Sequence, residues 1–457
     1  MRDRACYRVS RPSPTGRLLW AVWMGLVCGT GGVSGLSLVQ ADELVAITGG
    51  RIIPVVGPEL ERGTILIRNG RIAAVAAELE VPVEARVIDA TGQTILPGFI
   101  DVHSADPMSQ SNERNPNVPF LSVLDTIDPQ ALYFDDARRN GITAVSVVPG
   151  NSTMIGGQTA VVRTAGTYVN DMLIANPVGV KISMRPPSGS RMSHLAALRR
   201  ELDRAKGTAA ADAGEAPDSG SSEASEGASE GGGDGDSPES AAAAPTSGQA
   251  SDAQQQGLEV LRQLVGGQLL AFIYCDLPMD VVHALELIKA YELKPILILG
   301  RECDRAASLL AEVPYPIVLD PRLVYWRTDP NTRREERVDV PAVFHGLGKS
   351  FLFQANTTAS RQTLGSGYLW YQAAVAVKSG LSREQAIHAL TLGPAEALGI
   401  DDSVGSIEVG KDADLIILTG DPLGTLTWVD KTLVGGEVVY DRSQDEVLRR
   451  LLEATEQ

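Results

Sequence analysis

Two hydrophobic rhythms alternate along this 457-residue chain. Residues 44–47, 51–55 and 64–68 are short β-rich runs. Asn69-Gly70, a strong two-residue hairpin signal, follows before a fourth run at 71–76. Near the other end, 405–410, 414–418 and 432–440 are strand-like again. The two sets predict one small β-sandwich domain built from both chain ends, 42–97 and 401–445. Between them, β-branched runs alternate with helical periods, the pattern of a parallel α/β fold. Residues 142–148, 271–275, 295–299, 317–319 and 351–353 read as strands. Residues 128–139, 283–290, 304–311 and 368–378 read as helices. No internal repeat is evident.

Two segments break this rhythm. The first 41 residues open with Arg2, Arg4, Arg8, Arg11 and Arg17, continue through an apolar stretch at 18–28, and reach Val39-Gln40-Ala41, a small-residue cleavage pattern. This reads as a signal peptide for export to the periplasm or outside the cell. An uncleaved anchor is the alternative, because 18–39 carries no charge and is long enough to span. Its five glycines and Ala41 favour cleavage; Val27 before Cys28 is a poor lipoprotein signal. The second segment, 207–256, holds ten acidic residues, no Lys or Arg and no aromatics. It cannot bury enough apolar surface to offset its ordering entropy, so we expect a disordered, solvated insert. An acidic binding tail is the alternative. Residues 446–457 are a C-terminal tail.

Composition sharpens the picture. The length suits a barrel of about 250–300 residues plus a smaller domain, and 44% hydrophobic content supports a large core. The formal charge is −17, and the arginine-rich start makes the remainder more negative still. Neither nucleic acid nor, after signal cleavage, a membrane is an expected partner. Cleavage would leave two cysteines, Cys275 and Cys303, each just after a predicted strand. In an exported protein they form a disulfide or stay as buried free thiols.

The most informative stretch is 96–107, Leu-Pro-Gly-Phe-Ile-Asp-Val-His-Ser-Ala-Asp-Pro. An apolar run ends in Asp101 and His103, and strand ends are where a barrel enzyme keeps its chemistry. The run resembles the first barrel strand of the amidohydrolase superfamily, usually Pro-Gly-Phe-Ile-Asp-x-His-x-His. Three further segments resemble its imidazolonepropionase-like branch. They are 140–166, with Ile155-Gly-Gly-Gln-Thr; 174–199, with Lys181; and 390–422, with Leu390-Thr-Leu-Gly-Pro and Gly410-Lys-Asp-Ala-Asp. The resemblance implies a (β/α)8 TIM-like barrel over 98–400 beside the composite β-sandwich domain. It also implies hydrolysis of non-peptide carbon–nitrogen bonds by one or two divalent metals, zinc among them, at the strand ends.

Carried over position by position, the implied ligand set is depleted. His103 is kept, but its partner is Ala105. Tyr274 stands at the strand-5 His, Leu299 at the strand-6 His and Asn356 at the strand-8 Asp. Only five histidines exist, and His194, His283, His345 and His388 fall on helical patterns. No metal or other cofactor is therefore expected. Gly156-Gly157 reads as a turn, and Gly348-Lys349-Ser350 lacks the upstream Gly of a phosphate loop.

Three readings follow. The first is an exported superfamily protein whose metal hydrolysis is lost and whose barrel mouth binds a small amide-like or peptide-like ligand, with Tyr274 and Asn356 as contacts. The second is an active hydrolase using His103, Asp106, Asp276 and Lys181 in an unconventional site. The third is a non-catalytic subunit paired with an intact homologue. Asp101 and Glu302 are further mouth groups.

Overall fold

The computed structural model describes residues 43–187, 189–207, 247–355 and 367–455. The expected signal peptide, most of the acidic insert and Asn356 lie outside the described residues.

The strands begin with β1 (Leu44–Ile52), β2 (Leu60–Arg68), β3 (Arg71–Ala76), β4 (Arg86–Asp89) and β5 (Thr94–Pro97). Next come β6 (Phe99–Ser104), β7 (Ile142–Val147), β8 (Ile155–Arg163), β9 (Leu173–Ser183), β10 (Leu270–Cys275), β11 (Lys294–Leu299) and β12 (Ile317–Val318). A hairpin of β13 (Val324–Thr328) and β14 (Glu335–Asp339) follows, and then β15 (Leu415–Leu418), β16 (Val429–Val434) and β17 (Glu437–Asp441). The helices are α1 (Leu132–Arg139), α2 (Val169–Met172), α3 (Arg191–Lys206), α4 (Ser247–Val265), α5 (Pro278–Tyr291) and α6 (Ala307–Ala311). They continue with α7 (Val340–Gly346), α8 (Leu369–Lys378), α9 (Arg383–His388), α10 (Leu392–Leu398) and α11 (Glu446–Thr455).

Both chain ends do build one sheet. Its order is β17-β16-β15-β5-β1-β2-β3, with β4 also on β1. The junction is antiparallel, Ile95 opposite Ile417 and Leu96 opposite Ile416. Instead of two stacked sheets, this single sheet curls on itself. The β2–β3 turn meets the opposite edge where the Ala413 amide donates to the Gly70 carbonyl and the Gly436 amide to the Ala413 carbonyl. Ile47, Ile65, Ile67, Ile95, Leu415 and Ile417 fill the enclosed core.

Two details differ from the sequence pattern. The runs 44–47 and 51–55 fuse into β1, whose register to β2 slips on either side of Gly50. The run 432–440 breaks at Gly435-Gly436, both at positive φ, into the β16–β17 hairpin. Residues 405–410 form no strand; their glycines turn the chain instead.

The second sheet has the order β12-β11-β10-β9-β8-β7-β6. Residues 351–355 nearly close it. The Leu352 amide donates to the Ile317 carbonyl and the Leu319 amide to the Leu352 carbonyl, while the Ala355 amide reaches the Asp101 carboxylate on β6. This TIM-like barrel is not uniformly parallel. β8 runs antiparallel to both β7 and β9. The reason is connection length: residues 148–154 are far short of the dozen or so that a parallel crossover needs. Gly156 and Gly157 therefore lie inside a strand, not in the expected turn. A Cβ on Gly157 would sit 2.8 Å from the Leu121 carbonyl oxygen, and one on Gly156 would sit 3.2 Å from the Lys181 Cβ.

The barrel interior is apolar over much of its depth, with Phe272, Ile296, Ile298, Val318 and Leu352, and α10 closes it below with Ala395 and Leu398. The alternate residues pack outward against the helices. The acidic insert departs from a Gly207 cap with φ +72° after α3. Its expected far boundary at 256 is too late, because α4 already begins at Ser247. The recurrence of Leu258, Leu261 and Leu264 gives that helix a packed face, so it extends back into the polar sequence. Helix α1 starts at Leu132 rather than 128, since Asp128 accepts from the Gln130 amide in a preceding turn. Among the described residues, no helix is long and apolar enough to cross a membrane.

Candidate active site

At the C-terminal ends of the staves, three separate strands converge on one buried cluster. The β6 ladder to β7 is irregular between Asp101 and Ser104. Such a slip re-aims side chains, and here His103 meets groups from β9 and residues 351–355. His103 Nδ1 lies 2.8 Å from Gln354 Oε1, and Gln354 Nε2 donates to the Leu319 carbonyl at 2.8 Å. Because that amide nitrogen is committed, Oε1 must accept, and His103 carries its proton on Nδ1. Its Nε2 is then an acceptor, and Lys181 Nζ donates to it at 3.0 Å. Lys181 also donates to Asn151 Oδ1 at 2.6 Å, and its Nζ lies 5.5 Å from the centre of the Tyr274 ring.

Lys181 and His103 are both buried. Among the described residues no carboxylate pairs with Lys181, and burial brings its amine down to about 7. Burial and then the Lys181 charge hold the His103 imidazole well below its ordinary range. On the same strand, Asp101 Oδ1 accepts from the His103 and Ala355 amides at 3.3 and 3.2 Å, and Oδ2 accepts from the Tyr133 hydroxyl at 3.2 Å. Burial pushes this carboxyl up to about 7 against those hydrogen bonds. Asp101 therefore ties the first stave to the last and to α1.

The structure unites His103 and Lys181 but leaves the two other catalytic candidates outside the cluster. Asp276 accepts from the Tyr274 hydroxyl at 2.8 Å. Asp106 follows β6, its amide on Ser104 Oγ, and adds negative charge beside Asp101 and Tyr133. Glu302 pairs with Arg305 at the surface. Tyr274 does face the barrel interior, but Leu299 does not. It packs outward in the cluster of Leu297 and Leu319, and Ile298, paired with Tyr274, is the interior residue. An offset of one residue on a strand reverses the face.

Cys275 and Cys303 are free buried thiols, with Cys303 Sγ donating to the Cys275 carbonyl at 3.3 Å. The disulfide alternative is not realised. His194 is buried on α3, its Nε2 on the Ser183 carbonyl at 2.8 Å. Lys349 anchors the Val313 and Tyr315 carbonyls, a structural task.

Sequence reasoning missed Asn151, Gln354 and Tyr133. Gln354 was marked by period two, as it shares a face with Leu352. Asn151 sits just past the strand-ending Val148-Pro149-Gly150.

A catalytic zinc takes about three protein ligands. Among the described residues, no three His, Cys, Asp or Glu side chains come together. His103 Nε2, the nitrogen a metal would need, faces an amine, Ala105 offers no donor, and Asp101 is committed to amides. The described residues do not fit a resident metal.

The model of the amidohydrolase family matches residues 342–439. Curated relatives agree with it. An imidazolonepropionase of Porphyromonas gingivalis is 41% identical over 70 residues, 14% of this chain and 16% of that protein. A dihydroorotase of Mycobacterium tuberculosis is 27% identical over 159 residues, 33% of this chain and 37% of that protein.

This chain resembles the amidohydrolase family.

A solved amidohydrolase from Thermotoga maritima shares the fold, with a TM-score of 0.68 and 22% identity. That match covers 87% of this chain and all of the other. The curated matches are much shorter, the first spanning 14% of the relative's length. The likeness thus extends to the scaffold of this protein and leaves its activity to the site.

Proposed function

We propose that this superfamily member has given up metal-dependent hydrolysis and uses its barrel mouth to bind a small amide-like or peptide-like ligand. The observation that carries this is Lys181 Nζ on His103 Nε2 at 3.0 Å, an amine where a metal would have to bind. A cavity of about 230 Å³ beside the mouth, lined by Gly300, Asp320, Arg322, Tyr325 and Trp326, supplies the mixture of polar and aromatic surface that such a ligand takes. The larger cavity, about 980 Å³, is lined by the start of β12 and residues 348–352; it contains none of the His103 cluster. The basic, apolar N-terminus supports export of the chain. Pairing with an intact homologue stays compatible with this reading.

The test is metal content. The chain from Asp42 to Gln457 is incubated with zinc, manganese and cobalt, and bound metal is measured by mass spectrometry. No metal above background supports the reading. Near-stoichiometric metal that disappears in His103→Ala overturns it.

A second reading, an active hydrolase of carbon–nitrogen bonds, draws on the names of the relatives, dihydroorotase and imidazolonepropionase. It needs His103 and Lys181 to do the chemistry, with Asp106 adding negative charge beside Asp101 and Asp276 held by Tyr274. Loss of amide hydrolysis in His103→Ala supports it; unchanged hydrolysis removes His103 from the chemistry.

A further inference from the structure

The cluster has the logic of an activated nucleophile: a nucleophilic atom, a base within hydrogen-bond reach, and a third group that orients the base. Here these are Lys181 Nζ, His103 Nε2 at 3.0 Å, and Gln354 Oε1 at 2.8 Å from the far ring nitrogen. The Leu319 carbonyl fixes Gln354 in turn. We propose that Lys181 is an amine nucleophile that forms a reversible imine with a small aldehyde or ketone, His103 carrying the proton and Gln354 positioning His103. The inference rests on the reading above that His103 holds no metal.

Several observations converge on it. A neutral amine has two N–H bonds and one lone pair. Lys181 donates to His103 and to Asn151 Oδ1, and those two bonds use both hydrogens. The lone pair is then left for a carbon electrophile. Lys181 is fully buried, and among the described residues no carboxylate pairs with it, surroundings that favour this uncharged form. His103 presents an unprotonated Nε2 to that amine, as a base must, because its ring proton sits on Nδ1 toward Gln354. Phe272 pairs with Lys181 on the adjacent strand and Tyr274 with Ser183, so an aromatic wall flanks the amine. That wall suits a small apolar body, and the Tyr274 face, 5.5 Å from Nζ, stabilises the imine once it takes up a proton.

The step balances without an oxidant or reductant. The Lys181 lone pair attacks the carbonyl carbon and forms the C–N bond, while the C=O π pair moves to oxygen. His103 Nε2 takes the proton that nitrogen gives up and returns it to oxygen. The hydroxyl leaves as water when the second N–H proton departs and C=N forms. Water reverses the sequence. An ester or amide would instead acylate the lysine and leave a stable amide, so the chemistry selects aldehydes and ketones.

The experiment uses the chain from Asp42 to Gln457, with metal content measured first. The protein is treated with acetaldehyde, a probe small enough for a buried amine, and cyanoborohydride, which delivers hydride to any imine. Peptide mass spectrometry then maps ethylated lysines. Lys289 and Lys378, both exposed, serve as internal references. The expected result is labelling of Lys181 about a hundredfold faster than the references, the low end of what a positioned base contributes. In His103→Gln the rate at Lys181 falls toward theirs. Labelled references with an unlabelled Lys181 in metal-free protein overturn the inference and leave the ligand-binding reading standing. Stoichiometric metal at His103 overturns the reading on which the inference rests. An unchanged Lys181 rate in His103→Gln overturns the proton relay; if that variant does not fold, the wild-type map decides alone.

Discussion

The two walls of the barrel differ sharply. β10, β11 and β12 present Phe272, Ile296, Ile298 and Val318 to the interior, a surface as dry as any domain core. β6, β9 and residues 351–355 present His103, Lys181 and Gln354, with Asp101 in the seam behind them. In the resemblance, ligands come from both walls. Here the first wall has become packing, and the second has kept its polar groups by pairing them with one another. A site can therefore lose most of its metal donors without collapsing, provided the remainder is internally satisfied. Buried polar groups left unpaired would cost about 1–3 kcal/mol each.

The comparison breaks most directly at Asp101 and Ile298. Asp101→Ala strands two backbone amides and the Tyr133 hydroxyl, and we expect a loss of about 4 kcal/mol, summed from the price of each orphaned group. Ile298→Ala leaves a cavity in the dry wall and should lose about 2–5 kcal/mol. Urea midpoints measure both. A loss below about 1 kcal/mol for Asp101→Ala, the scale of an ordinary surface change, would mean that the polar wall is not a structural seam.

The next effects are on pH. Lys181 titrates at about 7 when folded and at its ordinary 10.5 when unfolded. Between these values the unfolded chain binds the extra proton, so stability rises with pH through this window and levels off above it. Lys181→Met should flatten that rise. Asp101 has the opposite sign. Its folded value of about 7 lies above the ordinary 3.8, so its contribution is full below 3.8 and is lost as pH rises through 7. Asp101→Asn should remove that fall. Urea midpoints at pH 5, 7 and 9 separate the two; parallel profiles for Lys181→Met and wild type would refute the Lys181 assignment.

Smaller effects sharpen the picture. Gly156→Ala puts a methyl 3.1 Å from the Pro149 Cβ and 3.2 Å from the Lys181 Cβ. It should cost about 1 kcal/mol, the lower range for overpacking, and slow labelling of Lys181. Cys303→Ser exchanges one weak donor to the Cys275 carbonyl for a stronger, more polar one. Its midpoint shift should stay within about 1 kcal/mol, the size of a single net hydrogen bond.

Much of the scaffold was legible because its strands are short apolar runs bounded by turns and helical periods. The runs ending at Cys275 and Leu299 became β10 and β11, and both chain ends met in one sheet. What was not legible depends on register and connection length. Leu299 and Ile298 are indistinguishable in composition, yet one faces the helices and the other the interior. The reversal of β8 is set by a connection too short for a crossover. Within the site, His103 and Lys181 stood out by residue type, whereas Gln354 and Asn151 matter only because residues 351–355 and the β7–β8 connection meet the ends of β6 and β9. The β13–β14 hairpin had a signal in Asp329-Pro330-Asn331 between alternating residues, but no expected barrel element called for it.

The pairing of β5 with β15 sets a clock. Ile95 and Leu96 meet Ile417 and Ile416, which leave the ribosome about 320 residues later, tens of seconds at common synthesis rates. Until then β5 is an apolar edge with unpaired amides, a template for the wrong neighbour. The curled sheet is thus the last part of the protein able to finish. A chain stopped before Leu415 should be sticky from its beginning rather than from its broken end.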